Sequence, residues 1–264
     1  MDGKLYPVGI QNFESLRRDG YFYVDKTAKI HELARTGRYY FLSRPRRFGK
    51  SLLVSTLEAY FQGKKELFKG LAMEGLEKEW KQYPILHLDL NTQKYETEDS
   101  LESLLNETLS TWESVYGRNE NEIGPARRFA GAIRRAHEKT GERVAILIDE
   151  YDKPMLQAIG DEKRQAAFRS TLKAFYGALK SEDGHIKFAL LTGVTKFGKV
   201  SVFSDLNNLM DLSRDHRYFD ICGISEEELL KNFSEDIQEL ADANGQTFGQ
   251  ACEQLKTDYD GYHF

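Results

Sequence analysis

The most informative segment of the chain is Phe41-Leu42-Ser43-Arg44-Pro45-Arg46-Arg47-Phe48-Gly49-Lys50-Ser51. An apolar run over residues 39–42 predicts a β-strand before it, and the apolar residues over 51–61 recur at helical spacing. The segment is therefore expected to connect a strand to a helix. Because the first N–H groups of a helix point toward anions and the helix dipole favours them, such a connection is suited to binding phosphate.

The end of this segment matches the phosphate-loop pattern GxxxxGK[ST], the Walker A motif. Lys50 is expected to reach the terminal phosphates of a nucleotide, and the Ser51 hydroxyl to ligate Mg²⁺. The alternative is a chance Gly-Lys-Ser tripeptide, which the placement between a strand and a helix disfavours. The predicted nucleotide-binding residues of this loop are Arg46, Arg47, Phe48, Gly49, Lys50, Ser51 and Leu52.

The loop departs from the pattern at its first glycine, which is Arg44 here. Pro45 also lacks an N–H group and holds the preceding residue extended. The loop should therefore offer fewer backbone donors than usual. We expect the side chains of Arg44, Arg46 and Arg47 to compensate, because guanidinium groups match phosphate oxygens.

Two carboxylates follow the aliphatic run at 144–148, which is the form of a Walker B strand. Asp149 is expected to hold Mg²⁺ and Glu150 to orient and deprotonate the attacking water. The alternative is a strand that leads into an ordinary polar turn, which the phosphate loop upstream disfavours. Because transfer to a small acceptor needs no water-activating base, the adjacent glutamate favours hydrolysis over a phosphotransferase.

A third apolar run, Ile186–Leu191, leads into Thr-Gly-Val-Thr-Lys at 192–196. In an ATPase with a catalytic glutamate, a polar sensor residue ends the strand between the phosphate-loop strand and the acidic strand. Thr192 is the first candidate and Thr195 the second. Lys196 or Lys199 is a candidate for the γ-phosphate.

Composition sets the broad class. The 264 residues include 40% hydrophobic and 30% charged residues, with a net charge of −5, so the chain is globular and not a basic nucleic-acid coat protein. Two cysteines, thirty positions apart, have neither zinc-site nor disulfide-framework spacing. No aliphatic run is long enough for a membrane helix, and no signal peptide is apparent, so a cytoplasmic protein is expected.

Alternating apolar and amphipathic stretches predict an α/β fold. Together with the phosphate-loop and acidic-strand motifs, they lead us to expect a P-loop NTPase three-layer sandwich with a mostly parallel sheet. Helices are expected over 25–36, 99–116, 125–139 and 161–180. Two further strands are expected, one over 85–90 and a fifth over 218–222. Residues 1–222 are expected to form this domain. Residues 223–264, which open with a capping box, should form a small helical, lid-like extension. The abrupt aromatic ending suggests truncation of a longer polypeptide.

Six motifs occur in an order that resembles the bacterial AAA-ATPase-like proteins, themselves similar to archaeal-type and STAND-type P-loop ATPases. The resemblance extends from about residue 5 to the end of the chain, and the missing first glycine is that family's own form. The motifs are Tyr23-Val24-Asp25-Lys26-Thr27, Phe41-Leu42-Ser43-Arg44-Pro45-Arg46-Arg47-Phe48-Gly49-Lys50-Ser51, Ile148-Asp149-Glu150-Tyr151-Asp152, Thr192-Gly193-Val194-Thr195-Lys196-Phe197, Leu206-Asn207-Asn208-Leu209 and Tyr259-Asp260-Gly261-Tyr262.

The resemblance implies ATP and Mg²⁺ as cofactors and assigns phosphate, metal and water binding to the residues named above. It also places Asp25 near the base and ribose, although a helix-capping role is equally consistent with its position. Residues 259–262 are expected either to close a lid or to form a packing turn. Family members commonly continue into a PD-(D/E)XK nuclease-like domain, of which no site is found here.

The leading hypothesis is thus a Mg²⁺-dependent ATPase that acts as a regulatory switch or motor, with a link to a nuclease or nucleic-acid process and a homo-oligomer left open. A non-catalytic nucleotide-binding module is the main alternative, and a small-molecule phosphotransferase is the third. Nucleic-acid binding has no support from composition. A cluster of four arginines at 127, 128, 134 and 135 reads best as a solvated helix face.

Overall fold

A five-stranded parallel sheet forms the centre of the computed structural model, which describes residues 4–196 and 208–259. The strand order is β2-β3-β4-β1-β5. The strands are β1 (Tyr39–Ser43), β2 (Ile85–Asp89), β3 (Val144–Asp149), β4 (Ile186–Gly193) and β5 (Met210–Asp211).

Helices cover both faces of the sheet, and the predicted helices lie within a few residues of their expected ends. The first group is α1 (Phe13–Arg18), α2 (Thr27–Thr36), α3 (Lys50–Phe61), α4 (Ala72–Leu76), α5 (Ser100–Tyr116) and α6 (Pro125–Thr140). The second group is α7 (Lys153–Gln157), α8 (Glu162–Tyr176), α9 (Ala178–Ser181), α10 (Glu226–Asn244) and α11 (Phe248–Tyr259). The fold is therefore the expected P-loop NTPase-like α/β sandwich.

The strand β4 lies between the phosphate-loop strand β1 and the acidic strand β3, as the sequence predicts. Leu42 pairs with Thr192, and Ile148 pairs with Leu191. Because all three strands run parallel, their carboxyl ends meet at one edge of the sheet, where ligands bind in open α/β folds. This register brings the phosphate loop, the acidic pair and the predicted sensor residue together.

Two apolar clusters fill the space between the sheet and the helices. Ile146 and Ile148 of β3 face the cluster with α5, α6 and α8, while Ala145 and Leu147 face the cluster with α2 and α3. All six residues of β3 are buried. A strand covered on both faces must be apolar along its length, which explains the near-continuous aliphatic run.

The structure corrects two expectations about secondary structure. Residues 218–222 are not a fifth strand: a 3₁₀ turn at His216–Tyr218 begins this region, and the side chains of Tyr218, Ile221 and Cys222 pack in the core. The strand beside β1 is instead β5, which has only two residues. The helix expected over 161–180 is interrupted at Gly177, so it divides into α8 and α9.

The C-terminal helices α10 and α11 pack against each other through a small apolar cluster that contains Ile237, Ala241 and Ala251. The predicted capping box opens α10, where Ser225 and Glu228 exchange hydrogen bonds. Lys26 forms an ion pair with Glu228, which connects this pair of helices to the segment before α2. Among the described residues, no helix combines the length and the hydropathy that a bilayer crossing requires.

Candidate active site

The phosphate loop ends in an open, left-handed turn at the start of α3. Gly49 has a φ of +82°, and a Cβ placed on it would meet no atom within 4 Å. Gly49 is the N-cap of α3 and makes no side-chain capping bond, so the first N–H groups of the helix are available at the loop mouth. Arg46 and Arg47 are exposed on the same loop. This arrangement suits an anion.

Arg44 does not join the exposed arginines. Its side chain is 1% exposed and donates hydrogen bonds to the carbonyl oxygens of Ser43 and Phe219. The guanidinium therefore braces the base of the loop against the segment after β5. Of the three arginines expected to replace missing backbone donors, only Arg46 and Arg47 lie at the surface.

Lys50 is buried beneath the loop. Its Nζ donates to the carbonyl oxygens of Arg44 and Pro45, at 3.1 Å each, and lies 3.6 Å from Oε1 of Glu150. A buried ammonium group that is held by neutral carbonyls and one carboxylate has a strong electrostatic preference for additional negative charge. The terminal phosphates of a nucleotide would supply that charge.

Asp149 is the centre of the site and binds three neighbours. Its Oδ2 accepts a 2.6 Å hydrogen bond from Oγ of Ser51, and its Oδ1 accepts from the Thr192 hydroxyl and from the N–H of Glu150. Hard oxygen ligands are those that Mg²⁺ prefers. The hydroxyl of Ser51 and the carboxylate of Asp149 therefore fit a Mg²⁺ ion, and Thr192 orients the carboxylate.

Glu150 follows in a strained backbone conformation, with a φ of +55° that is rare for a residue other than glycine. Burial raises the pKa of its carboxyl, the Lys50 ammonium lowers it, and the charge of Asp149 raises it again, with a net upward shift. A carboxylate with a raised pKa is a stronger base, which is the property that water activation requires. Strain of this kind is typical of functional sites.

A second pair of side chains joins β3 to β4, and the sequence analysis did not single out its carboxylate. Asp152 is 1% exposed, and its Oδ2 accepts hydrogen bonds from both the N–H and the hydroxyl of Thr195, at 2.7 Å each. Thr195, the second sensor candidate, thus binds a carboxylate of the neighbouring strand end. Lys196 is partly exposed, 4.0 Å from Asp211.

Asp89, at the end of β2, is a second carboxylate that the sequence analysis did not single out. It lies in register beside Asp149, and burial is the main cause of its raised pKa. Its position near the end of the strand predicted over 85–90 is the sequence signal that could have identified it as a candidate site residue. Its Oδ1 accepts from the N–H of Asn91, and the Asn91 side chain accepts from Lys153, which forms a polar rim next to the acidic pair.

Asp25 has its carboxylate oxygens committed to the protein. Oδ1 accepts from the N–H and hydroxyl of Thr27, and Oδ2 accepts from the N–H of Ala72. These bonds hold the starts of α2 and α4. The geometry favours capping over nucleotide contact for Asp25, and its nucleotide role stays a prediction.

An apolar cavity of about 380 Å³ borders the phosphate loop. It lies between the N-terminal segment and the start of α3, and Tyr23, Phe48, Gly49 and Leu52 are among its lining residues. A neighbouring cavity of about 480 Å³ shares Phe48 and extends between residues 219–226 and the C-terminal helices. Of the predicted nucleotide-binding residues, Arg47, Phe48, Gly49 and Leu52 thus line the first cavity.

The arginine cluster on α6 is mostly paired within the fold. Arg128 forms a buried, two-bond ion pair with Glu113, while Arg134 and Arg135 contact Glu122. This pairing explains the cluster without a nucleic acid. Lys199 and residues 260–262, two further candidates, lie outside the described residues.

Comparison with known proteins agrees with this geometry. A family model described as "Predicted AAA-ATPase" matches residues 7–203. An "Uncharacterized protein in vnfD 5'region" of Azotobacter chroococcum mcd 1 is 37% identical over 265 residues, which cover 100% of this chain and 49% of that protein. The chain therefore spans about half the length of this relative, and it belongs to the predicted AAA-ATPase family.

Proposed function

We propose that the chain binds ATP with Mg²⁺ and hydrolyses it to ADP and phosphate. The observation that carries this proposal is the convergence of Lys50, Ser51, Asp149 and Glu150 at one sheet edge, with the contacts given above. These four side chains supply an ammonium for phosphate, two oxygens for a cation and a base beside them. Together they support phosphoryl transfer to water.

The phosphates are proposed to lie over the start of α3. The free N–H groups of that helix and the Lys50 ammonium would bind the phosphate oxygens, and Arg46 and Arg47 would add donors from the surface. Ser51 and Asp149 would hold Mg²⁺, which when bound neutralises phosphate charge. The buried position of Lys50 supports this assignment, because the ammonium is already directed toward the loop carbonyls.

We propose that the nucleobase of ATP occupies the 380 Å³ cavity beside the phosphate loop. Gly49 and Leu52 line this cavity and also belong to the phosphate loop, so a ligand can run continuously from the cavity to the loop. Aromatic and aliphatic walls, which include Tyr23 and Phe48, suit a flat, apolar ring. Preference for adenine rests on the family.

Glu150 is proposed to take the proton of the attacking water. Its raised pKa and its position 3.6 Å from the Lys50 ammonium support this role. Thr192 would hold Asp149 in one orientation through its hydroxyl. A base that is positioned in this way contributes typically about 10²- to 10⁴-fold to rate.

At the level of the whole protein, we propose a regulatory switch or motor. The lid-like C-terminal helices support this role, because the Lys26–Glu228 ion pair connects them to the N-terminal segment that borders the 380 Å³ cavity. A division into a P-loop domain over 1–222 and a helical extension from 223 is part of the proposal. So is a nuclease-like partner domain.

Phosphate release from ATP tests the hydrolysis directly. We expect steady release by the purified chain with Mg²⁺, and none above background with EDTA. Tight ATP binding without release, under both conditions and with added DNA, would favour a non-catalytic nucleotide-binding module. Release of ADP only when a small acceptor is supplied would favour a phosphotransferase.

A further inference from the structure

Two strand ends at the site are joined by a repeated pairing of aspartate with threonine. Asp149 ends β3 and accepts a hydrogen bond from Thr192, which lies near the end of β4. Three residues farther along each segment, Asp152 accepts a hydrogen bond from Thr195. The first pair belongs to the proposed metal site. The second pair has no role in the proposed reaction. Its carboxylate, Asp152, is nevertheless the more buried of the two, 1% exposed against 5% for Asp149.

Asp152 makes these bonds at the expense of its local role. It is the N-cap of α7, a position where an aspartate ordinarily accepts from the N–H groups of its own helix. Here its side chain makes no capping bond. It accepts instead from the N–H groups of Val194 and Thr195 and from the Thr195 hydroxyl. The carboxylate therefore holds β4 rather than α7.

The backbone around Asp152 is fitted to the same contact. The N–H of Tyr151 donates to the carbonyl oxygen of Thr192 at 2.9 Å, and the Tyr151 hydroxyl donates to that of Thr195 at 2.8 Å. Gly193 passes so close that a Cβ on it would lie 2.5 Å from the Tyr151 ring and 2.7 Å from Oδ1 of Asp152. The close approach requires glycine at this position.

Glu150 lies directly before this contact in its left-handed conformation. A residue other than glycine keeps such a strained conformation only where the surroundings enforce it. Asp149 holds the N–H of Glu150 on one side, and Tyr151 and Asp152 are held on the other. The bonds to β4 are thus the ones that can keep the Glu150 side chain directed toward Lys50.

We propose that Asp152 is a positioning residue, which binds the end of β4 through Thr195 and thereby fixes Glu150 for water activation. This inference rests on the proposed function. It predicts that the bond between Asp152 and Thr195 affects the chemical step and leaves nucleotide binding intact, because among the described residues no hydrogen bond joins either side chain to residues 46–51. It also explains why the second sensor candidate binds a carboxylate.

The test compares phosphate release and ATP binding in Asp152→Asn, Thr195→Val and Thr195→Ser. We expect kcat to fall by about 10- to 100-fold in Asp152→Asn, in the range that a misplaced catalytic group costs, with the Kd for Mg·ATP within about twofold of wild type. Thr195→Val should lower kcat in the same way, and Thr195→Ser, which keeps the hydroxyl, should restore it. Asp161→Asn, at the N-cap of α8, is the matched control and should leave kcat unchanged.

The outcomes separate this proposal from the one on which it rests. An inactive wild type would overturn the proposed hydrolysis and this inference with it. An active wild type with normal kcat in both Asp152→Asn and Thr195→Val would overturn the positioning role alone. A parallel loss of ATP binding, or failure of Thr195→Ser to recover kcat, would assign the pair to stability instead. If Asp152→Asn does not fold, the two Thr195 variants decide.

Discussion

The Oγ of Ser51, at the start of α3, donates a 2.6 Å hydrogen bond to Oδ2 of Asp149, at the end of β3. The two residues are 98 positions apart in the chain. They belong to the two motifs on which the nucleotide assignment depends, and their contact places two hard oxygen atoms where one cation can bind both.

The first prediction concerns this pair. Ser51→Ala removes the hydroxyl and leaves Asp149 in place. Since even outer-shell partners of a metal are worth about 10- to 100-fold in metal affinity, we expect at least a tenfold rise in the Mg²⁺ concentration for half-maximal phosphate release. Ser55→Ala, on the same helix, is the control, because its hydroxyl donates to the Gln11 and Leu52 carbonyls. An unchanged Mg²⁺ dependence in Ser51→Ala would remove Ser51 from the metal site.

Lys50→Ala should weaken nucleotide binding. The substitution removes the buried ammonium expected at the terminal phosphates. Loss of one partner of a buried charge pair costs about 2 kcal/mol or more, which is roughly 30-fold in the Kd for Mg·ATP. Titration of a fluorescent ATP analogue measures this, with the exposed Lys94→Ala as control. Equal affinity in the two variants would contradict the assignment of Lys50.

Gly193→Ala should destabilise the fold. The added methyl group would meet the Tyr151 ring and the Asp152 carboxylate, both held by hydrogen bonds and unable to move freely. Overpacking of this kind costs about 1–3 kcal/mol. Gly184→Ala is the matched control, because a Cβ there meets nothing within 4 Å. Urea denaturation of both variants checks the difference, and equal midpoints would show that the strand ends are not tightly joined.

Glu113→Gln should destabilise the protein in a pH-dependent way. The bonds from Arg128 lower the pKa of the buried Glu113 carboxyl below its ordinary value of 4.5. The carboxylate therefore stabilises the fold above about pH 4.5, and this contribution is lost as the pH falls through the lower, folded-state pKa. Loss of a hydrogen bond to a charged partner costs about 1.5–3 kcal/mol.

Thermal denaturation of wild type and Glu113→Gln from pH 7 to pH 3 tests this sign. We expect the Tm difference to be largest near pH 7 and to shrink below pH 4.5. A difference that stays constant, or grows, as the pH falls would show that the Glu113–Arg128 pair is not the source of the stability.

The fold was largely predictable because its signals are local. Near-continuous apolar runs identify buried parallel strands such as β3, and helical spacing identifies α3, α5 and α6. The position of β4 between β1 and β3 was predicted from the glutamate expected to act as base and from the polar end of the third apolar run. The strand β5 has only two residues, too few for a recognisable apolar pattern. The segment 218–222 has the apolar pattern of a strand because Tyr218, Ile221 and Cys222 are buried in the core.

Residues of the candidate site were predictable where a short motif contains the side-chain type that one part of the expected chemistry requires. Lys50, Ser51, Asp149 and Thr192 meet as expected, with Glu150 directly beside Asp149. The contacts of Asp152 could not be predicted from the sequence, because its hydrogen bonds join residues that lie 42 and 43 positions apart. The burial of Arg44 was equally hidden, since it depends on the Phe219 carbonyl.

The identity of the nucleotide that stays bound to Glu150→Gln tests the central claim most directly. Wild type and variant are incubated with Mg·ATP, separated from free nucleotide, and the bound nucleotide is identified. We expect ADP on the wild type and intact ATP on Glu150→Gln, with phosphate release lower by about 10²- to 10⁴-fold. Glu142→Gln, whose carboxylate pairs with Lys81 at the surface, should behave as wild type. Bound ADP and undiminished phosphate release in Glu150→Gln would contradict the assignment of Glu150 as the base.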